Sequence, residues 1–191
     1  MFNLSKLIYL NLYLYFLVKK LFQLNLIRMV HEKEIYFFKY LNLEKNKIIL
    51  DIGASDGLFF KSLLKLNIQN KVISVEPLRN NLNIIKKIKK KYKNFYYHNI
   101  AISNFNYLKI FTPKYNNFRI DNYTSFSKKI ILDNLKKNFK FMKINLVKFD
   151  TEKVKAKKID YFKKYNIGLL KLDVEGYEIN AINTGKKLIR K

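Results

Sequence analysis

Four apolar runs, rich in β-branched residues, recur along the chain at Lys47–Ile52, Lys71–Val75, Phe95–Ser103 and Gly168–Leu172. Nearly continuous apolar runs of this length fit strands buried on both faces of a parallel sheet. Between them the period changes. Gly57 opens GLFFKSLLKL, a helical stretch that Asn67–Asn70 ends. Leu78, Leu82, Ile85, Ile88 and Tyr92 then fall at helical spacing, with Lys86, Lys87, Lys89, Lys90 and Lys91 on the other faces. The resulting β-α-β-α-β order with short connections predicts an α/β fold, a doubly wound and mostly parallel sheet with right-handed crossovers.

The middle of the chain breaks this rhythm. Tyr107–Thr112 and Met142–Phe149 read as strands, separated by a polar segment, Asn116–Lys129. Asn106 to Asp150 is therefore expected to be an inserted β segment with a flexible loop. Ile159–Tyr165 reads as a short helix, and a last helix is expected to begin near Gly176. Ahead of the first strand, residues 31–46 read as a helix and turn. Residues 4–27 are the most apolar stretch, but the unbroken part, Leu7 to Val18, is shorter than a bilayer span. With no Ala or Gly it offers no signal-peptide cleavage site. Residues 1–30 are thus expected to form an apolar helix that packs or self-associates, with peripheral membrane contact as the other reading. Residues 31–191 form the α/β domain.

The chain has 191 residues, enough for one domain with a substantial core. Its formal charge of +25 points toward polyanions. Only four of the 39 basic residues are Arg, however, and Lys, Asn, Ile, Tyr and Phe share A/T-rich codons. Base composition explains the excess more simply than a nucleic-acid site, and no specific nucleic acid is expected. There is no cysteine, which removes disulfides and thiolate chemistry and suits a cytoplasmic protein, free or membrane-associated. His31 and His98 are too few for a His-based metal site, and no metal is expected.

Against this basic background the acidic residues are informative. Asp51, Glu76, Asp173, Glu175 and Glu178 all lie at or just beyond predicted strand ends, where open α/β sheets bind ligands. In Asp51-Ile-Gly-Ala-Ser-Asp-Gly57, Gly53 and Gly57 allow a tight turn and close approach of a ligand to the backbone. The following helix points its N–H groups at a carboxylate, while Asp51 faces cationic groups. The pattern is D-x-G-x-x-x-G, without the third glycine spacing of a dinucleotide fingerprint. Glu76, at the next strand tip, can accept two hydrogen bonds from a ribose diol, or can serve as a helix N-terminal acid beside Pro77. Together these features favour S-adenosylmethionine (SAM) over NAD.

The blocks DIGASDG at 51–57, VEP at 75–77 and LLKLDVEGYE at 169–178, with a weaker NIAIS at 99–103, resemble the FkbM-type SAM-dependent methyltransferases. The resemblance covers roughly residues 35–185. It implies a Rossmann-like class I methyltransferase sheet and methyl transfer from SAM to a hydroxyl of a sugar, glycan or other small metabolite. It also implies that Asp51, Gly53, Ala54, Ser55, Gly57, Glu76 and Pro77 bind SAM, with Asn99 and Ala101 near the adenine. Asp173 and Glu175 would face the transferred methyl as the catalytic pair, accepting the hydroxyl proton or holding a cation. His98 is a second candidate base, although a strand His is more often packed.

Such a sheet is expected to continue beyond the 177–184 helix, whereas this sequence stops at Lys191. A C-terminally incomplete sheet would leave the 168–172 strand as an edge prone to association, hence an oligomer. Two other functions follow from particular features. The charge suggests a nucleic-acid methyltransferase, although DVEG stands where base methyltransferases carry a Pro-Pro block. The early stop suggests an inactive methyltransferase-like module.

Overall fold

The computed structural model describes residues 38, 40–41, 43–115, 118–140 and 142–190. The expectations for residues 1–30, including membrane contact through 4–27, lie outside the described residues. Among the described residues, no helix is long and apolar enough to cross a membrane.

Four strands form the central sheet: β1 (Ile48–Ile52), β2 (Val72–Val75), β3 (Phe95–His98) and β8 (Ile167–Leu172). Their order is β3-β2-β1-β8, and all three pairings are parallel. β1 and β2 are buried along their whole length, as their unbroken apolar runs require. Helices cover both faces. α1 (Leu58–Lys65) and α2 (Arg79–Lys91) bury Phe59, Phe60, Leu63, Ile85 and Ile88 against Ile49, Val72 and Phe95. On the other face Leu50, Ile52, Ile73 and Val75 meet Ile159, Phe162 and Ala181, the last from α4 (Glu178–Ile182). A further turn of helix, α5 (Lys186–Ile189), follows. The strand order reverses between β1 and β8, which opens a crevice at their carboxyl ends.

A second sheet, of order β4-β7-β5-β6, stands beside this crevice. It comprises β4 (Ala101–Ile102), β5 (Tyr107–Tyr115), β6 (Phe118–Arg119) and β7 (Lys148–Lys157). β4 runs parallel to β7, and β5 is antiparallel to both β7 and β6. Packed with it, α3 (Lys128–Asn138) buries Ile131 and Leu135 among Tyr115, Ile120, Phe139 and Met142.

Several expectations need correction. The run Phe95–Ser103 is two strands in two sheets. The central ladder ends where Glu76 N–H donates to His98 O, and the Asn99 amide then turns aside to donate to the carbonyls of Glu76 and Pro77. Within Met142–Phe149 the chain makes a 3-10 turn, Ile144–Leu146, and the strand begins only at Lys148 and runs on to Lys157. It was hidden because Val154 and Ala156 alternate with exposed lysines. Asn116–Lys129 is not simply a flexible loop: it includes β6, a 3-10 turn at Asp121–Tyr123 and the start of α3. The 159–165 helix is a 3-10 turn, Ile159–Phe162, and the last helix is two short ones.

Candidate active site

A cavity of about 410 Å³ opens at the carboxyl ends of β1, β2 and β8. Its floor is the loop after β1. Gly53 has φ +82°, and a Cβ there would stand 1.7 Å from the carbonyl oxygen of Asp173. Only glycine lets the β1 and β8 tips approach this closely. Gly57 has φ +76°, which itself favours glycine, and a Cβ there would meet only the end of the Ile88 side chain between α1 and α2. It does not line the cavity.

Beneath the loop lies Asp51, completely buried and outside the cavity wall. Its register partners on the two neighbouring strands are Ser74 and Lys171. Ser74 Oγ donates to Asp51 Oδ2 at 3.3 Å, whereas Oδ1 has no hydrogen-bond partner and meets only the Lys171 ammonium, 3.4 Å away. Burial raises the Asp51 pKa, and Lys171 opposes that rise. Lys171 also donates to Gly53 O at 3.3 Å and pairs with Asp173 Oδ2 at 3.4 Å. It therefore ties the buried acid to the cavity surface. In the sequence Lys171 stands only as one position of the LLKLDVEGYE block. The overlooked signal is a charge inside an apolar strand, which must find a buried carboxylate.

Glu76, at the tip of β2, lines the cavity and is almost fully buried. Oε2 accepts from Ser55 N–H and Oε1 from Leu78 N–H, both at 2.8 Å. It thus serves as the helix-entry acid while holding its carboxylate at the cavity wall. Desolvation dominates these bonds and pushes its pKa from 4.5 up to about 7. The native state consequently holds this proton more tightly than the unfolded chain. The associated stability is fully present below pH 4.5 and is lost as pH rises to about 7. Urea titrations should show wild-type stability falling across that window by up to about 3 kcal/mol more than in Glu76→Gln. Parallel pH profiles for the two proteins would refute the assignment.

The loop amides do not form the open anion cradle expected of them. Gly53 and Ala54 N–H donate to Val75 O, Ser55 N–H to Glu76, Gly57 N–H to Ala54 O and Leu58 N–H to Asp56 Oδ1. Much of the positive end of α1 is thus met by the chain's own carboxylates.

Ala54, Ser55, Pro77 and Ala101 line the cavity, together with Asp173 and Glu175. Asn99 does not: it buttresses the Glu76–Pro77 backbone from a neighbouring cleft. His98 is also outside, packed edge-on against Tyr161 and Phe162, with its pKa lowered by burial and then by Lys164. The five acids at strand ends divide by role. Glu178 Oε1 accepts from Val174 and Gly176 N–H at 3.1 Å and so shapes the turn. That turn presents Asp173 and Glu175 to the cavity, with Glu175 itself at φ +51°. The far wall comes from the second sheet and the segment that follows it: Ile110, Asp121, Thr124, Ser125 and Phe126. Ser125 Oγ donates to Glu175 O at 2.8 Å, and Phe126 packs on Tyr177, joining the two walls. Nothing in the sequence pattern pointed to this wall. Among the described residues, no three His, Asp or Glu side chains come together to hold a metal ion.

Residues 51–191 match the model of the methyltransferase FkbM domain, which spans both the β1 loop and the β8 turn. The chain belongs to the FkbM methyltransferase family. The match supports a methyltransferase, as the resemblance implied. No curated protein and no solved structure matches the chain significantly.

Proposed function

We propose that this FkbM-family protein has a Rossmann-like methyltransferase fold and transfers a methyl group from SAM to a hydroxyl of a small acceptor, such as a sugar or glycan. One observation carries the reading: the 410 Å³ cavity is bounded by the Gly53 loop, the Glu76 carboxylate and the Asp173–Glu175 turn, each at the end of a different parallel strand. The donor set fits the cofactor. Glu76 retains acceptor capacity for a ribose hydroxyl, since the Ser55 and Leu78 N–H groups and the Asn81 side chain leave part of its carboxylate unused. Ile100, Ala101 and Leu78 offer an apolar wall for a flat base. Asp51 lies beneath the cavity and is paired with Lys171, so it acts on the site only through that lysine's contacts with Gly53 O and Asp173.

Bound SAM supplies an electrophilic methyl on a sulfonium. The residues of this chain supply placement and a proton acceptor. The Ser125–Glu175 bond fixes the turn against the far wall, and Asp173, about half exposed, can take the hydroxyl proton as the carbon–oxygen bond forms. Methyl-labelled SAM incubated with a library of hydroxylated acceptors tests this directly. Label should enter an ether, and Asp173→Asn should lower kcat by about 10²-fold or more. Transfer to nitrogen, or an unchanged kcat, would refute the assignment. The nucleic-acid alternative rests on net charge alone, and the lining of this cavity runs against it.

A further inference from the structure

The cavity has the opposite sign to the protein around it. The chain carries 39 Lys and Arg against 14 Asp and Glu. Yet the lining holds five carboxylates, those of Asp56, Glu76, Asp121, Asp173 and Glu175, and one ammonium, that of Lys171. With Glu76 protonated, its pKa being about 7, and Asp121 paired with the Arg119 guanidinium, three carboxylates, those of Asp56, Asp173 and Glu175, still face one ammonium. Lys171 does not present its charge outward, because Asp51, Gly53 O and Asp173 surround it within 3.4 Å. The helix end that would welcome an anion is occupied too, with Asp56 on the Leu58 N–H and Glu76 on the Ser55 N–H. Surface lysines do not cancel this field, since solvent and salt screen exposed charges beyond about 8 Å, whereas low-dielectric walls concentrate the local one.

We propose that this cavity selects for positive charge, holding the sulfonium cofactor more tightly than its neutral thioether product and taking its hydroxyl from an acceptor that carries no anionic group. The inference rests on the SAM reading above. SAM and S-adenosylhomocysteine differ by one methyl and one positive charge, so their affinity ratio reports the sign of the site. A SAM-preferring site also releases its product readily, because the charge that held the cofactor leaves with the methyl. Phosphorylated and carboxylated acceptors, nucleic acids included, would bring a negative group against the acidic wall.

Calorimetric titration of the full chain with each compound, at low and physiological salt, reads this out. Wild type should bind SAM at least tenfold tighter than S-adenosylhomocysteine, with the ratio shrinking as salt rises. Asp173→Asn/Glu175→Gln should lose most of that ratio through weaker SAM binding, while S-adenosylhomocysteine affinity stays within about twofold. The latter serves as the check that the variant is folded, and the single variants should each lose part of the ratio. Equal affinities, tighter product binding, or a ratio that survives the substitutions would overturn the proposal with the SAM reading intact. Binding of neither compound by the wild type would overturn both. Among matched acceptors, methylation of a phosphorylated or carboxylated glycoside in preference to its neutral counterpart would overturn the acceptor half.

Discussion

Gly53→Ala should destabilise the domain by about 4 kcal/mol or more, a large part of a typical domain's stability. Two costs combine. A left-handed φ of +82° strains any residue with a side chain. The new methyl would also stand 1.7 Å from the carbonyl oxygen of Asp173, a backbone atom that cannot swing away. Relief requires the β1 and β8 tips to separate, yet Asp173 N–H is bonded to Ile52 O and Gly53 N–H to Val75 O. Gly57→Ala is the control. Its φ is nearly the same, but its methyl meets the end of the Ile88 side chain at 2.4 Å, which can change rotamer. Urea denaturation should therefore rank Gly53→Ala well below Gly57→Ala. Equal losses would mean that strain alone matters and that the tight strand-tip contact does not.

Lys171→Met should cost about 3–5 kcal/mol, because it leaves the fully buried Asp51 carboxylate without its counter-charge. The loss should grow with pH. Burial already raises the Asp51 pKa and Lys171 restrains it, so removing Lys171 raises it further. A raised carboxyl favours the protonated native state, and stability then falls as pH climbs from the unfolded value toward the folded one. Adding Asp51→Asn should restore most of the stability, since a neutral amide needs no counter-ion. A double-mutant cycle should give a coupling above about 2 kcal/mol. Additive losses would show that the pair does not interact.

These predictions draw on parts of the fold that differed in legibility. The strand tips were readable because β1, β2 and β8 are buried parallel strands, whose apolar runs stop at Gly53, Glu76 and Asp173. Roles among the acids were not. Asp51 and Glu178 read like the others, but register places Asp51 between Ser74 and Lys171, and a local turn claims Glu178. Of the second sheet, Tyr107–Thr112 was legible as a strand; most of β7 escaped because its lysines mask a period of two, and α3 because only Ile131 and Leu135 are buried along it. The cavity wall at 121–126 depends on that sheet's tertiary placement, which no local pattern encodes.

The central claim is that the strand-tip cavity binds SAM through Glu76. Its most direct test is titration of the full chain with SAM, wild type against Glu76→Ala. We predict saturable one-site binding by the wild type and a loss of about 30-fold or more in the variant, the worth of a charge-assisted hydrogen bond to a ribose hydroxyl. No saturable binding, or equal affinity in the two proteins, would contradict it.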